Sequence, residues 1–405
     1  MTQEPHKHRP LAWVNGSDAP EKTLIRLGYL PLTDAASLIV AATQGFAERY
    51  GLRIELQRQA SWSALRDRLL SGELDAAQGM YGLIYSMHLG LASPSKPMAV
   101  LMGLNQNGQS INLSAGLQRA GVTDAQALAK RVHQGNSPIC LASTFPTGTH
   151  AMWLYYWLAT LGIHPLRNID TVTVPPPLMV HHLKARRIDG FCAGEPWGAY
   201  AIEQGQAFTV ATSQSIWPDH PEKVLTSLLD FVEQHPNTAK ALVMAVLDAS
   251  RFIDQNAENR RCTAQLISTA SYLDAPLEAV LPRMLGQYQD GNGEQWQDAH
   301  PLRFHAGGAV NMPYLSDAMW FMTQFRRWGL LQDDPDYLSV AEQVQQLDIY
   351  QAAATSLGIK VPASPLRSST LIDGLIWDGH NPYRYARSFA LHGLDTEHHL
   401  DDLLP

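Results

Sequence analysis

The chain has 405 residues, of which 45% are hydrophobic and 17% charged, so it is an ordinary globular protein with room for two or three cores. The formal net charge is −8 and no stretch of lysine or arginine forms a basic stripe, which argues against direct binding to nucleic acid. The three cysteines, Cys140, Cys192 and Cys262, are too far apart to indicate a disulfide framework or a metal-ligand pair.

The N-terminal segment, residues 1–20, is polar and predicts a flexible arm. Its apolar stretch, Leu11–Val14, is shorter than the roughly 7–15 apolar residues of a secretory signal. No later segment approaches the roughly 18 apolar residues of a membrane helix. We therefore expect a cytoplasmic protein that does not enter the membrane, unless a leader is absent from this sequence.

Strands and helices are predicted to alternate in the first hundred residues. A strand is expected over Thr23–Leu30, and apolar residues then recur with helical spacing from Ala35 to Ala47. The alternation of apolar residues over Leu52–Leu56 predicts a second strand, and two more are expected over Asp75–Gly79 and Pro97–Gly103. This alternation predicts an α/β lobe with a parallel sheet.

The alternation then restarts and predicts a second α/β lobe of about a hundred residues. A helix over Thr123–Gln134 is followed by a strand over Pro138–Ala142, a helix over Ala151–Leu161 and a strand over Ile169–Val174. From Thr226 onwards the periodicity is mostly helical. A lobe, a second lobe and a long return segment fit a clamp whose chain crosses the hinge twice. The same order also fits many multidomain enzymes.

Motifs for catalysis or metal binding are missing from the sequence. There is no phosphate-binding glycine loop, no serine nucleophile elbow and no zinc-protease histidine motif. His181 and His182 are adjacent, so on a helix their side chains diverge by about 100° and do not share one ion. We predict no metal, no cofactor and no enzymatic activity.

One loop, Thr144–His150, indicates a binding function. It lies between a predicted strand and a strongly apolar helix, and Gly148 permits either a positive φ or a close approach of the backbone. The free N–H groups at the start of the helix carry a partial positive charge that suits an anion. A helix capped by Thr147 or Thr149 is the plain alternative interpretation.

Further segments occur together in a distinctive order. They are Leu27–Ala36, Gln59–Asp67, Asp75–Met80, Leu104–Gln109, Thr144–His150, Gly190–Trp197, Trp217–Lys223 and Asp373–Asp378. Together they resemble the nitrate- and bicarbonate-binding proteins of bacterial ABC importers. The resemblance covers the chain from about residue 22 to about residue 385.

The resemblance implies the fold of type II periplasmic-binding proteins. This is an α/β, two-lobed clamp with parallel-sheet cores and a helical C-terminal return segment. In this arrangement the arm of residues 1–20 precedes lobe I, which takes residues 21–112 and 213–405. Lobe II takes residues 113–212.

The resemblance also implies a ligand set for nitrate or nitrite. The residues that it places around the anion are Trp62, Gln109, Gly148, Thr149, His150 and Lys223. Trp62 forms a wall, Gln109 donates an amide hydrogen, the three residues at 148–150 line the helix start, and Lys223 supplies the positive charge. One cation and several neutral donors suit a planar, acceptor-only anion. Bicarbonate also needs an acceptor for its proton, so the lysine argues against it.

The start of the chain decides between members of this group. Because no leader is visible, the sequence is most similar to cytoplasmic nitrate/nitrite sensors of the NasS type. Those sensors control an RNA-binding antiterminator partner of the NasT type by ligand-dependent release. We therefore expect a cytoplasmic sensor. The alternatives are the nitrate-binding protein of an ABC importer whose leader is absent from this sequence, and a small-molecule enzyme on the same fold.

Overall fold

A computed structural model describes residues 18–91, 94–135 and 138–389. The predicted N-terminal arm lies outside these residues, except for residues 18–20. The strands, in chain order, are β1 (Leu24–Tyr29), β2 (Arg53–Arg58), β3 (Ala76–Met80), β4 (Met98–Gly103), β5 (Gln109–Ser114), β6 (Cys140–Ser143), β7 (Asp170–Thr173), β8 (Gly190–Gly194), β9 (Ala207–Thr212), β10 (Lys223–Leu228), β11 (Gln287–Gln289), β12 (Gln295–Gln297), β13 (Ser369–Thr370) and β14 (Ile376–Trp377).

Helices separate most of these strands and make up most of the return segment. The α-helices are α1 (Ala36–Thr43), α2 (Trp62–Leu70), α3 (Tyr81–Leu89), α4 (Ala115–Arg119), α5 (Ala125–His133), α6 (Thr149–Thr160), α7 (Met179–Lys184), α8 (Trp197–Glu203), α9 (Ser213–Ile216), α10 (Leu229–Gln234), α11 (Pro236–Asp254), α12 (Ala257–Ser268), α13 (Leu277–Met284), α14 (Leu315–Arg327), α15 (Tyr337–Val344), α16 (Leu347–Ser356) and α17 (Pro382–Ala386). Among the residues that the structure describes, no helix is both long and apolar enough to span a membrane.

Two five-stranded sheets form the cores of two lobes, which confirms the predicted two-lobed α/β fold. The first sheet has the strand order β2–β1–β3–β10–β4, and the second has the order β7–β6–β8–β5–β9. Strands of the second sheet fall between Gln109 and Thr212. The exact limits of the two lobes, 21–112 with 213–405 and 113–212, stay a prediction.

Each sheet contains one antiparallel strand, so the cores are mixed and not purely parallel. β5 runs antiparallel to both of its neighbours, β8 and β9, and β10 runs antiparallel to β3 and β4. These are the first strands after the chain has crossed from one sheet to the other. Each enters its new sheet from the end opposite to that used by the βα units, and so runs against its neighbours.

Helices of the return segment cover the first lobe. α11 buries residues along most of its 19-residue length and packs against α1 and α16. An aromatic cluster joins α6 to α14: the ring centroids of Trp153 and Trp320 are 4.8 Å apart, and those of Trp217 and Trp320 are 5.2 Å apart. These fully buried rings pack α6 against α14 and against the segment that precedes β10.

The two lobes contact each other at the loop that follows β1. The backbone N–H of Thr33 donates to the carbonyl of Glu195 at 2.7 Å, and Trp197 Nε1 donates to the carbonyl of Pro31 at 3.0 Å. Pro31 and Thr33 follow β1 of the first sheet, whereas Glu195 and Trp197 follow β8 of the second. The cleft between the lobes is therefore closed at this point.

Candidate functional site

Lys223 lies at the centre of a buried cluster of charges. It is the first residue of β10, where it pairs with Met80 of β3, and its side chain is fully buried. Its Nζ lies 3.0 Å from Asp34 Oδ2 and also contacts Glu222 Oε1. It lies 5.7 Å from the ring centroid of Trp62. The sequence predicts a single positive charge among neutral donors. The structure adds the carboxyl groups of Asp34 and Glu222.

Burial of this cluster shifts the affinity of its groups for protons. Burial raises the pKa of Glu222 to about 7, with Lys223 opposing the shift and Asp34 adding to it. Burial also raises the pKa of Asp34, again against the effect of Lys223. For Lys223 the two carboxylates outweigh burial and raise the pKa, so the ammonium stays charged. The site therefore holds a permanent cation beside two carboxyl groups that accept protons readily.

His150 is the second residue of α6, and its side chain borders the same cluster. Its Nδ1 is 2.6 Å from Thr144 Oγ1, and its Nε2 is buried with no hydrogen-bond partner in the described part of the chain. Burial lowers its pKa well below the usual range, and the charge of Lys223 lowers it further. A neutral ring that accepts the Thr144 hydroxyl at Nδ1 carries its hydrogen on Nε2, which is then a free donor.

The start of α6 has no side-chain cap, which removes the plain alternative for the Thr144–His150 loop. Gly148 is the N-cap, with φ −75° and ψ 165°, and Thr147 instead donates its hydroxyl to Ser86 at 2.9 Å. A Cβ at Gly148 would lie 2.7 Å from Met80 Cε. The positive φ that the sequence would permit is therefore not observed, and the glycine allows the side chain of Met80 to pack closely against the start of α6. Thr149 Oγ1 is buried and has no partner within the described ranges.

Gln109 and Gly194 bring the second sheet to the same place. They are paired residues of β5 and β8, so their Cα–Cβ directions lie on one face of the sheet. A Cβ at Gly194 would lie 3.2 Å from Asp34 Oδ2 and 3.6 Å from His150 Nε2. A side chain at this position would fill the space that these atoms face. Gly194 lies within the Gly190–Trp197 segment of the family resemblance, but the predicted ligand set does not include it.

Buried polar atoms without a partner gather around this space. Within residues 18–91, 94–135 and 138–389, the atoms from the predicted ligand set that have no hydrogen-bond partner are Trp62 Nε1, Gln109 Nε2, Gln109 Oε1, Thr149 Oγ1 and His150 Nε2. Each such group costs about 1–3 kcal/mol if it stays unpaired. The structure thus brings the predicted residues together around Lys223, Asp34 and Gly194. The arrangement can bind a small acceptor-rich ligand.

Metal binding has no comparable support. Across the described residues, no group of three or more histidine, cysteine, aspartate or glutamate side chains could hold a metal ion. All three cysteines have free thiols.

The fold and the cluster together define a two-lobed α/β binding protein of the type II class. Residues 18–268 match the NMT1-like family. The chain is 37% identical to the nitrate/nitrite binding protein NrtA of Synechocystis, over 93% of this chain and 87% of that protein. The crystal structure of the periplasmic nitrate-binding protein NrtA from Synechocystis superposes with a TM-score of 0.86 at 35% identity, covering 91% of this chain and 99% of that one. The chain belongs to the NMT1-like family, and the resemblance to nitrate- and bicarbonate-binding proteins is confirmed.

The comparisons correct the expected role as a cytoplasmic sensor. The chain is also 32% identical to the nitrate import ATP-binding protein NrtC of Synechocystis, over 93% of this chain and 57% of that protein. These relatives are named for anion binding and import, and the solved relative is described as periplasmic. The predictions of a sensor, of a cytoplasmic location and of an antiterminator partner of the NasT type are therefore wrong. The error came from giving weight to the start of the chain.

Proposed function

We propose that this chain is the nitrate- or nitrite-binding component of an importer. Its anion would lie between the two lobes, held by Trp62, Gln109, Thr149, His150 and Lys223, with Gly148 and Gly194 making room. The observation that carries the proposal is the set of buried donors without partners around one ammonium group. A monovalent oxyanion accepts hydrogen bonds on every oxygen and so satisfies such donors.

Binding without chemical conversion accounts for the same residues. In the described contacts, the side chains of His150 and Lys223 meet no serine or cysteine, and the carboxyl groups are engaged by Lys223, Gln78 and Trp153. The hydroxyl of Ser213 contacts His220 Nε2 at 2.7 Å and hydrogen-bonds to the backbone of Gln109. The proposed partner is an ATP-binding import protein, because one relative carries that name. The proposed location is the periplasm, because the solved relative is described as periplasmic.

Calorimetric titration tests the proposal directly. Nitrate and nitrite should bind in the micromolar range, about −8 kcal/mol, whereas sulfate should give no heat of binding, because it carries a second charge next to two carboxyl groups. Bicarbonate is titrated beside them, because Asp34 Oδ2 and Gln109 Oε1 are acceptors for its proton. Absence of nitrate and nitrite binding between pH 5.5 and pH 9 would refute the proposal.

A pair of tryptophan variants separates the site from general packing. Trp62→Phe keeps a ring beside Lys223 and removes a buried Nε1 that has no partner in the described structure, so nitrate affinity should fall about tenfold. Trp377→Phe is the matched control, because its equally buried Nε1 donates to the carbonyl of Ser316 at 3.0 Å, away from the cluster. The control should lose stability and keep its nitrate affinity.

A further inference from the structure

Asp34 faces the space that the anion would occupy. Its Oδ1 accepts a hydrogen bond from Gln78 Nε2, so one oxygen is held by the protein. Its Oδ2 lies 3.2 Å from the Cβ position of Gly194, and His150 Nε2 lies 3.6 Å from the same position. The carboxyl oxygen and the unpaired Nε2 of His150 therefore border one small space.

The carboxyl groups outnumber the cation in this cluster. When Asp34 and Glu222 are both ionised, the ammonium of Lys223 leaves one negative charge in excess. The histidines do not offset that charge: burial lowers the pKa of His150 well below its usual range and that of His220 to about 3. A bound monovalent anion would add a second excess negative charge in a buried place, which is costly.

The next charged groups are already paired and do not help. Glu195, which follows β8, is buried with Arg283 of α13 at 3.1 Å. Arg367 is likewise paired with Asp317, at 2.7 Å. The excess charge must therefore be removed within the cluster itself.

Only one carboxyl oxygen is placed to donate a hydrogen bond to the anion. Glu222 Oε1 contacts Lys223, and Glu222 Oε2 accepts from Trp153 Nε1 at 3.2 Å. Asp34 Oδ1 accepts from Gln78, which leaves Asp34 Oδ2, 3.0 Å from the ammonium but facing Gly194. An ionised Oδ2 and an acceptor-only anion in the space beside Gly194 would repel each other, whereas a protonated Oδ2 is a donor.

We propose that Asp34 is a further anion-contacting residue, which binds one proton from solvent together with the anion and donates a hydrogen bond from Oδ2 to it. No bond of the anion breaks, and the proton leaves with it. The inference rests on the proposed function. Burial raises the pKa of Asp34 and brings that of Glu222 to about 7, in both cases against the effect of Lys223, and so keeps the required proton within easy reach.

Proton uptake can be counted by nitrate titration of the full chain in two buffers of different protonation enthalpy. At pH 8.5 about one proton should be taken up per nitrate bound, and nitrate affinity should fall about tenfold per pH unit between pH 7.5 and pH 9. Nitrate binding without proton uptake would overturn this inference and leave the proposed function standing. Absence of nitrate and nitrite binding at every pH would overturn the proposed function itself.

Two variants locate the proton. Asp34→Asn places an amide donor where the protonated carboxyl would be, so uptake should disappear and affinity should no longer depend on pH. Glu222→Gln leaves Asp34 facing the anion, so uptake should persist. Uptake retained in Asp34→Asn would assign the proton to His150 or Glu222 and overturn the inference. Both variants keep one carboxylate for Lys223, and a thermal unfolding transition confirms that each one folds.

Discussion

Gln109 separates a binding role from a structural one, because its side chain is fully buried and has no hydrogen-bond partner at either end among the described residues. A buried polar group left without a partner costs about 1–3 kcal/mol. Gln109→Met removes both polar atoms at nearly constant volume. We therefore expect the ligand-free variant to gain about 1–3 kcal/mol in its free energy of unfolding. Its nitrate affinity should fall tenfold or more, because a donor to the anion is lost.

The measurement pairs urea unfolding without ligand with nitrate calorimetry. Asn112, on the same strand β5, is the matched control: its amide donates to Ser110 Oγ at 2.9 Å and its oxygen accepts from Thr209 at 2.7 Å. Asn112→Leu should destabilise the chain, because the Thr209 hydroxyl loses its acceptor and the Ser110 hydroxyl loses a donor. If Gln109→Met lowers stability as Asn112→Leu does and nitrate still binds as before, the glutamine is structural and the reasoning fails.

The buried charges lead to three more predictions. Lys223→Met leaves two carboxyl groups without their cation, so urea unfolding should show a loss of about 3–5 kcal/mol at pH 8 and a smaller loss at pH 5; equal losses would contradict this. Because folding raises the pKa of Glu222 from 4.5 to about 7, the native chain binds more protons than the unfolded chain between these two pH values. Its stability relative to Glu222→Gln should fall as pH rises from 4.5 to 7, and a thermal-unfolding difference that rises instead would refute the assignment. Arg283→Met leaves Glu195 buried without a counter-charge and removes a donor to the carbonyl of Gln287 at 2.9 Å, so amide exchange in the β11–β12 hairpin should accelerate; unchanged exchange would argue against this role.

The α/β alternation and the lobe order were readable from the sequence, because most strands are short apolar runs between helices. β5 was not predicted. Its residues are all buried although Gln109, Ser110 and Asn112 are polar, so a pattern of alternating polarity does not show it. Contacts with Glu195 and Thr209 pair the side chains of Ser110 and Asn112, whereas the Gln109 side chain has no partner among the described residues. Because β5 buries polar residues as well as apolar ones, its sequence lacks the alternation by which a strand is predicted.

β10 was also not predicted. Helical periodicity was assigned from Thr226 onwards, yet residues up to Leu228 complete the strand that begins at Lys223. Its direction follows from the crossing of the chain between sheets, and that crossing is a property of the whole fold. Local propensity does not record it.

The carboxyl groups around Lys223 show the limit of motif reasoning. Asp34 and Glu222 both lie within segments that were quoted for the family resemblance, yet neither was assigned to the site. Asp34 is far from Lys223 along the chain, and only the packing of the loop after β1 against β10 brings its Oδ2 to 3.0 Å from the ammonium. A lysine in a motif indicates a charge, but its counter-charges depend on the tertiary structure.

The position of Asp34 also links the charge of the site to the closure of the cleft. Thr33, its neighbour, donates its backbone N–H to Glu195 of the other lobe at 2.7 Å, while Asp34 Oδ2 faces Gly194 of that lobe. An open cleft would take Gly194 and Gln109 away from this loop and give the carboxylate access to water, which favours its ionised form. Closure buries the same carboxylate against an anion and favours the protonated form. Since both contacts lie on two consecutive residues, the proposed proton uptake at Asp34 predicts that closing the lobes and neutralising the site occur together.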